Sequence, residues 1–343
     1  MTSLLRCLPL IALAAFCHLP PSYANSPVVA VAVSYGMIAG PVKEVGGDLV
    51  NVIVLLPPTI DPHEYSLVPS IVSEAMKADL LVISGHLKWE LDLSSQIATL
   101  KGRSERDVVV NLRTDLAGQL RWLRLPGETE DNLHGFWYLP ENYLAIAKAV
   151  QARLSDIRPE QAQNFERSYA LLQERIHSLV AKTGQLSKSL AKQNPKVLIT
   201  YPEEQYLIAP FSLVIGESLV GSTEEITLSA TRINDIIAKL RAGEYSLIVS
   251  SDLTELTKVF ESAGQISAET GVPMVVLTAL PDPSFDSMIM YNAGALATGF
   301  RAATGKNLNS LDDLHMILFA IVVLLLAIAF FEYYVFAIRR RQT

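Results

Sequence analysis

The sequence predicts an α/β protein with two α/β lobes joined by one long rigid helix, followed by a single C-terminal transmembrane helix. In each half of the chain, short β-branched runs alternate with amphipathic stretches, which is the pattern of an α/β fold. One uninterrupted helical pattern separates the two halves. Near the C-terminus, residues 314–338 are largely apolar and are followed at once by three arginines.

Residues 1–24 have the features of an export signal. A short apolar run at residues 4–17 contains one basic residue, Arg6, and Ser22 and Ala24 supply the small residues that signal peptidase needs. We expect cleavage there and a mature chain that starts near Asn25. An uncleaved anchor is one alternative, and a lipoprotein built on Cys17 is the other, although the preceding Phe16 is a poor fit to lipidation.

The first lobe is predicted at residues 25–158 and the second at residues 194–312. Strands are expected in the first lobe at 28–33, 50–56, 79–84 and 107–111, with a helix at 69–78 that begins with Pro69. In the second lobe we expect strands at 196–200, 212–215, 245–250 and 272–277, and helices at 227–242 and 255–270. Gly271 is suited to end the last of these helices.

A bridging helix is predicted at residues 159–193. Apolar residues recur there at three- and four-residue spacing, no proline follows Pro159, and Gly184 is its one glycine. About 30 helical residues would span about 45 Å, the length of a whole lobe. The two lobes are therefore expected to be joined rigidly.

The apolar stretch at residues 314–338 predicts a membrane anchor. As a helix it would be about 37 Å long, more than the hydrocarbon core of a bilayer. The arginines of the short tail at 339–343 favour a cytoplasmic C-terminus. We therefore expect a single-pass protein of the cytoplasmic membrane, whose lipid contact is residues 314–338 and whose two lobes lie outside, in the periplasm or the extracellular space.

Composition excludes several classes of function. The net charge of −7 argues against a nucleic-acid partner. The two cysteines, Cys7 and Cys17, both lie in the signal segment, so the mature chain has no thiolate ligand or cysteine nucleophile. The sequence has no phosphate-binding loop of the Walker type and no Gly-x-Ser-x-Gly motif. We expect no enzyme, with a metal-dependent hydrolase as a distant alternative.

Two histidines have surroundings that suit metal ligands. His63 follows a predicted strand, on a turn stiffened by prolines, and ligands collect at the carboxyl ends of strands in open α/β sheets. His134 lies just before a predicted helix, and neutral imidazole is a common ligand of zinc and similar metals. His86 follows another strand, but a loop or supporting role is favoured there over direct ligation. His177, on the bridging helix, is expected at the surface.

Several short motifs resemble the metal-binding subunits of manganese- and zinc-type ABC uptake transporters. The most specific is Asp61-Pro62-His63-Glu64-Tyr65 after a strand, and the segment around His134 is similar to the family's His-x-Trp-x-x-Pro signature with one extra residue before the tryptophan. The resemblance covers residues 28–305. It implies two α/β lobes bridged by a rigid helix, with the metal held between them.

The resemblance also implies a set of ligands. The family uses two histidines from the first lobe, then a histidine or glutamate and an acidic residue from the second, and His63 and His134 match the first two. The third position falls on Tyr201 or Pro202, which are unsuitable donors, so Glu203 is the nearest substitute. The fourth position falls on Thr278, and Asp282 is the nearest carboxylate. The expected metal ligands are His63, His134, Glu203 and Asp282.

These features predict a membrane-tethered extracytoplasmic protein that captures a divalent metal ion, zinc or manganese, for an ABC importer. Its partner would be an ABC permease or another integral membrane complex. The alternative is an accessory subunit of a membrane complex that keeps this fold with a degraded metal site. The residues do not distinguish zinc from manganese.

Overall fold

The computed structural model describes residues 28–57, 60, 62–191, 196–222, 229–280 and 284–303. All of them belong to one compact unit, residues 27–309. The expected signal at 1–24 and the expected transmembrane helix at 314–338 lie outside the described residues. Within the described ranges, no helix combines the length and apolar character needed to cross a membrane.

The first lobe is built around a parallel four-stranded sheet with the order β2-β1-β3-β4. Its elements in chain order are β1 (Val29–Tyr35), α1 (Ala39–Gly46), β2 (Val50–Leu56), α2 (Pro69–Met76), β3 (Leu80–Ile83), α3 (Lys88–Lys101), α4 (Glu105–Val108), β4 (Val109–Asn111), α5 (Leu112–Asp115) and α6 (Pro140–Ile157). Strands β1 and β3 are almost wholly buried, because helices cover both faces of the parallel sheet.

The second lobe repeats this arrangement, with a parallel sheet of order β6-β5-β7-β8. Its elements are β5 (Lys196–Ile199), α8 (Glu204–Ile208), β6 (Val214–Ser218), α9 (Ala230–Arg241), β7 (Leu247–Ser251), α10 (Lys258–Thr270), β8 (Met274–Leu277) and α11 (Phe285–Ala303). In both lobes the carboxyl ends of parallel strands lie along one sheet edge, where loops can bring distant residues together.

A 30-residue helix, α7 (Ala162–Ala191), lies between the two sheets in the chain. It packs against α1 and α6 of the first lobe and against α11 of the second. The side chains of Phe165, Leu172 and Ile176 are buried along one face of this helix. A single apolar core includes residues of α7 and of both sheets, so the lobes share packed interior.

One arginine of α7 contacts an acidic residue from each lobe. A guanidinium nitrogen of Arg175 lies 2.7 Å from the carboxylate of Glu44 in α1, and another lies 2.6 Å from that of Asp286 in α11. All three side chains are partly buried. This shared ion pair connects both lobes to the long helix.

Among the predicted boundaries that differ from the structure, three differ for identifiable local reasons. The strand expected at 212–215 begins only at Val214, because Ser212 has a φ of 55°, in the left-handed region that a strand excludes. The strand expected at 107–111 is shortened to Val109–Asn111 because α4 occupies Glu105–Val108, with Asp107 accepting from the Ser104 backbone N–H. The helix expected at 255–270 starts at Lys258, where the Thr257 side chain caps it.

Candidate metal centre

Three histidines of the first lobe meet at the carboxyl edge of its sheet. His63 follows β2, His86 follows β3, and His134 precedes α6. Their ring centroids are 4.9 Å apart for His63 and His134, and 5.6 Å apart for each of the two pairs that include His86. One possible ligand atom from each residue lies within 4.8 Å of the other two.

This spacing suits a shared ion after small side-chain rotations. Zinc–nitrogen bonds of about 2.0–2.1 Å place the nitrogens of a tetrahedral site about 3.4 Å apart. His86 and His134 are half-buried, whereas His63 is exposed. An ion can therefore reach the cluster from solvent on the His63 side.

The structure brings His63 and His134 together, as the sequence suggested, and adds His86. His86 reaches this cluster through the strand order, in which β3 pairs directly with β1 beside β2; the supporting role that the sequence favours for it stays a prediction. Its position directly after a strand was the signal that could have identified it. His177 is exposed on α7, as expected.

Burial keeps His86 in the neutral form that a metal requires. Burial, together with the neighbouring imidazoles of His134 and His63, lowers the pKa of His86 to about 3. At neutral pH the ring therefore carries a lone pair on one nitrogen.

Asn132 links His134 to the second lobe. Its side-chain oxygen accepts from the His134 backbone N–H at 2.9 Å and lies 3.3 Å from Nδ1 of the ring. Its side-chain nitrogen donates to the backbone oxygen of Pro202 at 2.8 Å and to the side-chain oxygen of Gln205 at 2.9 Å. The hydroxyl of Tyr206 adds a bond of 2.6 Å to the backbone oxygen of Asn132. The turn carrying His134 is thus fixed against Pro202, in the loop after β5, and against α8.

Glu203 approaches the site through its backbone. Gly135, with a φ of +88°, lies so close to it that a Cβ at Gly135 would be 3.1 Å from the Cα, Cβ and backbone oxygen of Glu203. Burial raises the pKa of the Glu203 carboxyl to about 7. Within the described part of the chain, the group of mutually close ligand atoms consists of the three imidazoles, so the Glu203 carboxylate lies outside it.

The edge where a fourth ligand was expected holds a different carboxylate. Asp252, directly after β7, accepts from the Thr278 hydroxyl at 2.6 Å and from the Ala279 backbone N–H at 2.9 Å. Burial raises the pKa of Tyr138, and the charges of Glu203 and Asp252 contribute to that rise. Both acidic residues therefore lie near Tyr138. The other expected ligand, Asp282, lies outside the described residues.

Comparison with known proteins places the chain in a family. The family model for the periplasmic component A of zinc-uptake complexes, ZnuA, matches residues 31–299. The metal ABC transporter substrate-binding lipoprotein ScbA of Streptococcus cristatus is 22% identical over 286 residues, covering 78% of this chain and 88% of that protein. The zinc-binding protein TroA of Treponema pallidum is 28% identical over 170 residues, covering 50% of this chain and 53% of TroA.

Solved structures share the fold. The periplasmic zinc-binding protein TroA of Treponema pallidum superposes with a TM-score of 0.65 at 20% identity, covering 80% of this chain and 99% of that one. The manganese complex of FpvC from Pseudomonas aeruginosa gives a TM-score of 0.60 at 16% identity, covering 80% and 98%. The predicted class of two α/β lobes with parallel sheets is confirmed.

Proposed function

The chain belongs to the family of periplasmic zinc-uptake components, ZnuA, and from this membership we propose that it captures a divalent metal ion outside the cytoplasmic membrane and delivers it to an ABC importer. The relatives are named as substrate-binding proteins of metal ABC transporters. An ABC permease is accordingly the proposed partner. The proposed role is binding and delivery, without chemical conversion of the cargo.

The observation that carries this proposal is the cluster of His63, His86 and His134. The cluster has one exposed and two half-buried imidazoles, so its ring nitrogens can be reached by an ion from solvent. The same cluster is a ready set of nitrogen donors for zinc or a similar ion. One relative is named for manganese and another for zinc, so the proposed cargo is one of these two ions.

In the proposed site, His63 and His134 bind the ion from the first lobe and Glu203 approaches from the second. The close approach of Gly135 to the backbone of Glu203 supports this assignment, because it puts Glu203 beside the turn that carries His134. Water or Asp282 would complete four donors. The α7 bridge and the Arg175 ion pairs favour small lobe movements, so affinity would come mainly from the donors themselves.

Metal titration tests the function. The full chain, purified in detergent and stripped with a chelator, should bind one ion per chain. His63→Ala and His134→Ala should each weaken binding strongly, whereas Glu203→Gln should weaken it measurably. His177→Ala is the matched control, because it removes an exposed histidine from the middle of α7.

The accessory-subunit alternative is the other outcome of this titration. It is favoured by Thr278, which stands where the family has an acidic ligand and whose hydroxyl is bound to Asp252. If the wild-type chain binds none of manganese, zinc, iron or copper at micromolar concentrations, the fold serves as an accessory subunit and metal delivery is refuted.

We also propose that residues 314–338 tether the lobes to the cytoplasmic membrane. This proposal rests on the apolar sequence and on the arginines that follow it. Protease added to intact spheroplasts should digest the lobes and leave a small C-terminal fragment in the membrane. A protected ectodomain would contradict this orientation. Because relatives are named as lipoproteins, Cys17→Ala is the informative variant: release of the chain from the membrane would show a lipid tether instead.

A further inference from the structure

His86 is held by a buried chain of hydrogen bonds that runs through Ser84 to Glu90. Its Nδ1 lies 2.7 Å from the hydroxyl oxygen of Ser84, and that hydroxyl donates to the carboxylate of Glu90 at 2.5 Å. Ser84 and Glu90 are fully buried. The backbone N–H groups of Ser84 and Gly85 also donate to Glu90, at 2.9 and 3.0 Å.

This arrangement determines which nitrogen of His86 carries the proton. The Ser84 hydroxyl has one hydrogen, and it is used in the bond to Glu90, so its oxygen must accept from His86. Nδ1 of His86 therefore carries the proton and Nε2 carries the lone pair. Metal-binding histidines are commonly oriented in this way, with one ring nitrogen bonded to a fixed acceptor and the other bonded to the metal.

The backbone around His86 is equally constrained. Gly85 has a φ of +85°, and a Cβ there would lie 1.9 Å from the side-chain oxygen of Asn111 at the end of β4. Any larger residue would move the turn between β3 and α3. The position of the His86 ring is thus set by the fold, independently of any ion.

We propose that His86 is a third metal-binding residue, that Ser84 and Glu90 are its positioning residues, and that the resulting three-imidazole set selects zinc over manganese. This inference rests on the proposed function and assigns its cargo. Imidazole donors suit zinc, copper and nickel, whereas manganese prefers carboxylate and water oxygens. Three nitrogens from one lobe also allow the ion to bind before any donor of the second lobe reaches it.

The test compares zinc and manganese affinities of the full chain in detergent, by competition with chelators of known affinity. The wild type should prefer zinc by at least about 100-fold, given its nitrogen donors. His86→Ala should lower zinc affinity by about 100-fold or more and manganese affinity by less than about tenfold. The ratio of zinc affinity to manganese affinity should therefore fall. Ser84→Ala should lower zinc affinity by about 10- to 100-fold, as loss of an outer-shell partner does. His177→Ala should change neither affinity.

Cobalt provides a readout that a merely structural role would not alter. The visible absorption of bound Co²⁺ reports the number and type of donors, so the wild-type spectrum should be that of a four-coordinate, nitrogen-rich site, and His86→Ala should change its band positions. His86→Asn, which keeps a polar side chain, should change them in the same direction. Thermal midpoints of the metal-free variants show whether each remains folded.

The outcomes separate this inference from the proposed function. If folded His86→Ala or His86→Asn keeps wild-type zinc affinity and the wild-type cobalt spectrum, His86 is not a ligand. If His63→Ala nevertheless abolishes binding, metal capture stands and only the third donor is refuted. A wild type that prefers manganese over zinc refutes the selectivity assigned here.

Discussion

Replacing Gly135 with alanine should destabilise the chain in two ways, through its left-handed backbone conformation and through its contact with Glu203. Gly135 has a φ of +88°, and its missing side chain leaves room for the backbone of Glu203. It lies in the segment that carries one more residue than the family signature, between His134 and Trp137. An alanine there must adopt a left-handed conformation and also press against the second lobe.

The expected cost follows from these two terms. A left-handed conformation costs a residue with a Cβ about 1–2 kcal/mol. The new Cβ would lie 3.1 Å from three atoms of Glu203, two of them backbone, and overpacking of this kind costs a further ~1–3 kcal/mol. The total is roughly 2–5 kcal/mol, which lowers the thermal midpoint of a chain of this size by about 4–10 °C.

Gly127→Ala is the matched control. Gly127 also has a positive φ, of +83°, but no atom lies within 4 Å of the position its Cβ would take. It should show the conformational cost alone, about 1–2 kcal/mol. The difference between the two variants measures the contact between Gly135 and Glu203.

The same pair of variants tests the site. Gly135→Ala should weaken zinc binding about tenfold, because moving the Glu203 backbone shifts the His134 turn that supports the site, and Gly127→Ala should leave binding unchanged. The assay is thermal unfolding of the metal-free full chain, followed by zinc titration. Equal shifts in midpoint for the two variants, with equal zinc affinity, would refute the close approach of the lobes at this point.

Two further predictions concern charge. Burial raises the pKa of Glu203 to about 7, above the value of ~4.3 in an unfolded chain. The metal-free wild type should therefore lose stability, relative to Glu203→Gln, as the pH rises from about 4 to about 7. Parallel curves of stability against pH for the two proteins would contradict this. Arg175→Met leaves Glu44 and Asp286 without their shared cation. In denaturant unfolding it should destabilise the chain by about 2 kcal/mol, a cost between those of breaking an exposed and a buried ion pair. Arg241→Met, which breaks an exposed pair, should cost less than about 1 kcal/mol, and equal costs for the two variants would show that the shared pair adds nothing.

Much of the fold could be predicted from local patterns. The β-branched runs at β1 and β2 and the three- and four-residue apolar spacing along α7 depend on neighbouring residues alone. Boundaries were less predictable where one residue decided them. The left-handed conformation of Ser212 and the capping side chain of Thr257 are examples.

The candidate site was only half predictable for a different reason. His63 and His134 stand in recognisable motifs, whereas His86 joins them only because β3 lies beside β1 in the sheet. In the second lobe, the pairing of Ser251 with Leu277 brings Asp252 to Thr278, although 26 positions separate them in the chain. Contacts of this kind depend on strand order, which local patterns do not contain.

Anomalous diffraction at the zinc absorption edge tests metal capture by the histidine cluster most directly. Crystals of the chain grown with zinc should show one strong peak at the three-histidine cluster, with nitrogens of His63 and His134 at about 2.0–2.1 Å. A chain without such a peak, or with zinc bound only at exposed residues such as His177, would contradict metal capture by this cluster.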